Sequence, residues 1–121
     1  MKQYHFEKLE VWQKSRILIK CIYQISKDFP ADERFGMTQQ IRRAGISITC
    51  NLAEGTSRMT GKEQARFSEI AFGSLMEVLN LLIIAVDLEY LSDDLLIQTR
   101  PLIDEIGNKI NALRETQNKR N

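Results

Sequence analysis

The sequence predicts an all-α protein, an antiparallel up-down-up-down four-helix bundle forming one domain over residues 1–121. Three observations lead there. Long windows are rich in Leu, Ile, Ala, Glu, Lys, Arg and Gln, which lose little freedom in a helix, and no alternation of apolar and polar residues lasts long enough for a strand. Turn and capping residues divide the chain into four apolar-periodic stretches. The connections between them are short, which makes successive helices antiparallel neighbours. With 121 residues, 43% hydrophobic, 27% charged and only two prolines, the chain is long enough to bury a core and too apolar to be disordered.

The first helix is expected over about 7–28, stopped at Phe29-Pro30 because the residue before a proline avoids the α region. The second is expected over about 32–54, with Asp32 and Glu33 at its positive end and Gly55 as a left-handed terminating residue. Gly55 to Thr60 forms a short polar connection. Thr60 and Glu63 have the spacing of a capping box, so a third helix is predicted over 61–89, roughly 43 Å long at 1.5 Å per residue. Ser92 reads as the next N-cap, and the fourth helix runs over 93–116 with a fraying tail from Gln117. Pro101 lies inside that span and is expected to kink the helix or to begin a second helical piece.

The helix faces are wider than a lone bundle requires. A bundle helix buries a stripe a little over 100° across. In the first helix Leu9, Val11, Trp12, Leu18, Ile19, Ile22, Tyr23, Ile25 and Phe29 cover roughly 200°. The third helix has an expected core stripe of Phe67, Ile70, Ala71, Ser74, Leu75, Val78, Leu81, Leu82, Ala85 and Leu88. Beside it lies a second apolar group, Phe72, Met76, Leu79, Ile83 and Val86. A helix buried centrally within one domain would explain this, but in a four-helix bundle every helix touches solvent. The better reading is contact with another copy, through Trp12, Ile22, Ile46, Phe72, Met76, Leu79 and Ile83. In the second helix, Ala44 and Gly45 are expected to admit a neighbouring helix closely.

The net charge of +1 hides a segregated pattern. Residues 34–66 hold six bases against two acids, and residues 67–107 hold one base against eight acids. Such blocks support self-association or a charged partner. Arg42, Arg43, Arg58, Lys62 and Arg66 can contact RNA or DNA phosphates. Solvated surface charge plus salt bridges between subunits explains them equally well. No aromatic residue is interleaved for base stacking, Phe67 on the core stripe apart.

Other chemistry finds little support. His5 is the single histidine, with no carboxylates at metal-ligand spacing. Neither Cys21 nor Cys50 has a nearby histidine for nucleophilic catalysis, and both read as reduced thiols in a cytoplasmic protein. No phosphate-binding glycine loop occurs. Glu54 can pair with Arg43 or Arg58 but shows no partner that would make it a general base. The expectation is a non-enzyme with no catalytic residues, metal or cofactor. The N-terminus has no signal-peptide run, and Ile70 to Val86, with Glu77 and Asn80 inside it, reads as too short and polar to span a membrane.

Several motifs together carry a resemblance. They are Phe6-Glu-Lys-Leu9-Glu-Val-Trp12, Phe29-Pro30, Phe35-Gly36-Met37, the run Gln40-Ile-Arg-Arg-Ala-Gly-Ile-Ser47-Ile-Thr-Cys-Asn51-Leu-Ala-Glu54-Gly55, Arg66-Phe67, Ala71-Phe-Gly73-Ser74-Leu75-Met-Glu77, and Leu88-Glu-Tyr90-Leu91. The chain resembles, over residues 6–113, the four-helix-bundle proteins encoded in intervening sequences of bacterial 23S ribosomal RNA genes. The resemblance implies a left-handed antiparallel bundle assembled as a homopentamer. It also implies kinship with the accessory variability protein of diversity-generating retroelements, a pentameric barrel that binds a reverse transcriptase and nucleic acid through a basic surface. Arg42, Arg43 and Asn51 fall in the family's most characteristic stretch, where Asn51 and Glu54 read as structural polar residues. Gly45, where many members carry alanine, and Pro101 depart from the pattern.

Overall fold

The computed structural model describes residues 1–120. It contains four α-helices and, among the described residues, no strand: α1 Glu10–Ser26, α2 Met37–Thr56, α3 Gly61–Asp87 and α4 Asp93–Asn118, with short 3-10 turns at His5–Lys8 and Ala31–Glu33. Paired residues fix the direction of each seam. Gly45 meets Ile22 while Arg42 meets Ser26, so α1 and α2 are antiparallel. Ser47 meets Ser74 and Gly55 meets Phe67 across α2 and α3. Gly107 faces Leu75 and Gln117 bonds Ser68 across α3 and α4. Lys14 reaches Glu105 and Lys109 reaches Glu10 across α1 and α4. The helices form a ring in which α1 and α3 stand on one diagonal and α2 and α4 on the other, with the α1–α4 seam the slightest.

The core is the single apolar stripe of each helix. Leu18, Ile22, Ile41, Ile48, Leu52, Leu75, Leu82, Ile103, Ile106 and Ile110 are wholly buried, each contributing about 1.5–3 kcal/mol of transfer free energy. Gly45 packs as its sequence context predicts: a Cβ there would lie 2.9 Å from Ile22 Cδ1. That same packing removes Ile22 from the expected oligomer surface, because α2 covers it completely. Ile70 and Leu88, expected in the core, are 42% and 48% exposed; Leu88 is the C-cap residue beyond the last turn of α3.

Element ends differ from expectation where local hydrogen bonding outcompetes the helix. Glu7 accepts the Tyr4 N–H at 2.9 Å and so closes a 3-10 turn, which delays α1 to Glu10. Asp32 and Glu33 belong to a separate turn rather than to α2. Even so, Glu33 still serves the positive end of α2, accepting the Met37 N–H at 3.2 Å. Gly55 is not left-handed; no glycine has positive φ. It lies within α2, where its missing Cβ admits Phe67, whose own Cβ would otherwise stand 2.8 Å away. The left-handed residue is Glu89, φ 65°. It follows α3 in a Schellman arrangement, with the Tyr90 N–H on the Ala85 carbonyl at 2.8 Å and the Glu89 N–H on Val86 at 3.0 Å. Thr60 and Ser92 cap as predicted, accepting the Glu63 and Leu95 N–H groups.

In α4 the helix passes Pro101 as one element, so no second piece begins there. The predicted fraying starts too early. Gln117 is 2% exposed and its Oε1 accepts the Ser68 hydroxyl at 2.6 Å; Asn121 lies outside the described residues. The 27-residue α3 is, by length and composition, long and apolar enough to cross a membrane, contrary to the expectation for Ile70–Val86. Its burial gives that composition a place in the bundle: Ala71, Leu75, Val78, Leu82 and Ala85 are all at 0% exposure.

Candidate nucleic-acid interface and assembly faces

The basic block of the sequence divides into two groups in space. Arg43 and Arg58 are separated by fifteen positions of one nearly continuous helical path, about 22 Å. Arg42 is engaged. Its Nε donates to Ser26 Oγ at 2.8 Å, an NH2 donates to the Tyr23 carbonyl at 3.4 Å, and its guanidinium lies 4.5 Å from the Tyr23 ring centroid. It thereby satisfies a carbonyl at the negative end of α1. Arg43, one position on and about 100° round the helix, is exposed. It lines a polar groove of about 460 Å³ with Phe35, Gln39, Gln40, Ser47 and Glu77.

At the other end, Arg58 pairs with Glu54 at 2.8 Å and covers the Phe67 ring at 4.7 Å. Lys62 and Arg66 have no ion-pair partner among the described residues. They share a groove of about 370 Å³ with Arg114 of α4, alongside Glu63 and Glu69. Arg114 was missed by sequence reasoning because only the antiparallel return of α4 brings it beside Arg66. The last fourteen residues hold four bases against one acid, the one signal in the sequence that points to it.

The expected interface residues separate by exposure. Ile46, Met76 and Ile83 are exposed at 40%, 38% and 37%. Trp12, Phe72 and Leu79 are half-buried and pack on the edge of the core. Trp12 stacks edge-on against Phe6 with centroids 5.1 Å apart, beneath the Arg16 guanidinium. Four exposed apolar residues on helix faces were missed: Ile17, Ile84, and Leu95 and Ile97 of α4. Phe35 is 80% exposed on the turn before α2. No group of His, Cys, Asp and Glu among the described residues is placed to hold a metal ion. Cys21 and Cys50 are free thiols, the first half-buried and the second exposed.

The model of the 23S rRNA-intervening sequence protein family matches residues 7–112. The chain belongs to this family. A crystal structure of a protein of unknown function from the S23 ribosomal protein family of Bacteroides thetaiotaomicron is similar in fold. It is 21% identical, with 88% of this chain and 94% of that one covered and a TM-score of 0.63. No curated protein matches the sequence.

The run Gln40–Gly55 is largely structural in this chain. Asn51 Nδ2 donates to the Ser47 carbonyl at 2.8 Å and to Ser47 Oγ at 3.0 Å, and Ser47 shares a 2.9 Å hydroxyl bond with Ser74. This polar track joins α2 to α3. Farther along, Gln40 donates to Glu77 at 3.4 Å. In that run, Arg43 makes no hydrogen bond or ion pair among the described residues. At the acidic end of the bundle Tyr90 donates its hydroxyl to Glu33 at 3.0 Å. That bond, then desolvation and the Glu33 and Asp32 charges, raise the Tyr90 pKa above its ordinary 10.0.

Proposed function

We propose that the protein is a non-enzymatic cytoplasmic scaffold that assembles with copies of itself as a homopentamer and holds RNA or DNA backbone by charge. The observation that carries the self-assembly is the outward side of α3, where Met76, Ile83 and Ile84 stay more than a third exposed although that helix already supplies much of the core. Apolar surface left in water on a small protein marks a contact site. The stoichiometry of five comes from the family resemblance.

Arg43, Lys62, Arg66 and Arg114 are the phosphate contacts in this reading, since Arg42 and Arg58 already serve the protomer. Affinity for single-stranded or duplex RNA and DNA is then expected to fall steeply as salt rises. Fluorescence anisotropy against a salt series tests it. Arg43→Glu combined with Lys62→Glu and Arg66→Glu is expected to abolish binding while gel filtration with light scattering shows an unchanged oligomer. Absence of binding at low salt, or binding indifferent to the triple reversal, overturns it.

A second reading is favoured by the engaged state of Arg42 and Arg58. The bundle is then an adaptor for a protein such as a reverse transcriptase, with arginines that only hold structure. On that reading Arg42→Glu with Arg43→Glu breaks the oligomer, seen by sedimentation, before any ligand is affected.

A further inference from the structure

The two outward faces on the α1–α3 diagonal have opposite character. From Val11 to Lys27 the sequence contains four bases and no acid; from Phe67 to Asp87 it contains three acids and no base. On α1 and its C-cap the exposed positions include Arg16, Ile17, Lys20 and Lys27, with Ile17 at 49%. On α3, beyond Lys62 and Arg66 of its first two turns, they include Glu69, Gly73, Met76, Glu77, Ile83 and Asp87. None of the acids on that face, and none of Arg16, Lys20 and Lys27, forms an ion pair within the protomer among the described residues. The one base of α1 that does, Lys14, turns toward Glu105 of α4.

Gly73 is unexplained by the protomer. A Cβ at this position would meet nothing within 4 Å, yet glycine in a helix interior costs about 1 kcal/mol relative to alanine. A bare backbone on an outward face is useful where another backbone or a bulky side chain approaches. Heights along the bundle bring the two faces into register. Traced through α2, by the Ile22–Gly45 and Ser47–Ser74 contacts, Ile17 is level with about residue 71 of α3. Traced through α4, by Lys14–Glu105 and Leu75–Gly107, it is level with about residue 80. The interval between them holds Gly73, Met76 and Glu77. Both helices also run in the same direction.

We infer that the outward face of α3 in one copy docks on the outward face of α1 in the next, with Ile17 seated beside Gly73 and Met76, and Lys20 beside Glu77. This rests on the self-assembly reading and specifies its interface. Such a contact joins different surfaces of the two copies, so it is heterologous. Faces level along the axis let successive copies join without rising; closure into a ring then depends on the rotation between one copy and the next. Opposite charge at the rim selects this pairing over α3 on α3 or α1 on α1, each of which sets like charges together.

The test uses two variants, each blocking one face. Gly73→Arg blocks α3 and has open space around it in the protomer; Met76→Arg is the second choice should circular dichroism show lost helix. Ile17→Glu with Lys20→Glu blocks α1. By gel filtration with light scattering, wild type is expected as an oligomer and each variant alone as a monomer of 14.0 kDa. An equimolar mixture is expected to give a dimer of twice that mass and nothing larger, because each variant keeps one competent face. A mixture that stays monomeric, or either variant assembling like wild type, overturns the inference and leaves self-assembly standing. A monomeric wild type overturns both.

Discussion

Arg42 and Arg43 are adjacent, identical in chemistry and opposite in expected consequence. Truncating Arg42 to alanine removes a charged 2.8 Å hydrogen bond to Ser26, a longer one to the Tyr23 carbonyl and the stack on the Tyr23 ring. A hydrogen bond to a charged group contributes about 1.5–3 kcal/mol, and an exposed cation–π contact about 0.5–1 kcal/mol. Arg42 is half-buried, so screening takes the low end of each. The loss is then about 2 kcal/mol, including the carbonyl near the end of α1 left to water. Arg43 has no such partners, and Arg43→Ala is expected within about 0.5 kcal/mol of wild type. For a chain of this size each kcal/mol moves the melting temperature by roughly 3–6 °C, so Arg42→Ala should melt about 6–12 °C lower. Urea unfolding of both variants at one protein concentration measures it, since assembly makes stability concentration-dependent. Equal midpoints for the two variants would refute the assignment of Arg42 to structure. In the same samples, nucleic-acid affinity should follow Arg43 and leave folded Arg42→Ala nearly unaffected.

Three further outcomes are expected. Ser68→Ala strips the buried Gln117 oxygen of its 2.6 Å donor and should cost about 1–3 kcal/mol in chemical denaturation, with hydrogen exchange rising in the last turn of α4. Pro101→Ala restores a backbone donor inside a continuous helix at an exposed position and should stabilise by about 1–3 kcal/mol; a lower melting temperature would contradict that. Tyr90 has a folded pKa raised above 10.0, so its bond to Glu33 stabilises fully below that pH and is lost as pH rises through the folded value. The melting difference between wild type and Tyr90→Phe should therefore be constant through neutral pH and shrink in strong alkali; a difference that instead vanished on acidification from pH 9 to 7 would contradict it.

Fold class, helix count and most of the core stripe of α3 were legible in the sequence because helical periodicity is a local property. A 3.6-residue repeat of Leu, Ile and Val needs no partner to be recognised, and neither do the caps at Thr60 and Ser92. Family membership was legible for the same reason, since its motifs are contiguous runs. What failed required knowing which element stands opposite. Ile22 reads as spare surface until α2 closes over it, and Gly55 reads as a terminator until Phe67 arrives beside it. The tail at Gln117 reads as frayed until Ser68 offers a buried hydroxyl. Residues 34–66 read as one basic block, but α2 holds Arg43 some 22 Å from Arg58. Their antiparallel neighbours give Arg42 to α1 and Arg114 to the company of Arg66. Sequence by itself determined which residues must leave water and how each helix is phased, because transfer free energy and backbone geometry act residue by residue. Only the tertiary structure decided which charges remain unpaired and which apolar residues still face outward, because those depend on side chains far apart in the chain competing for the same space.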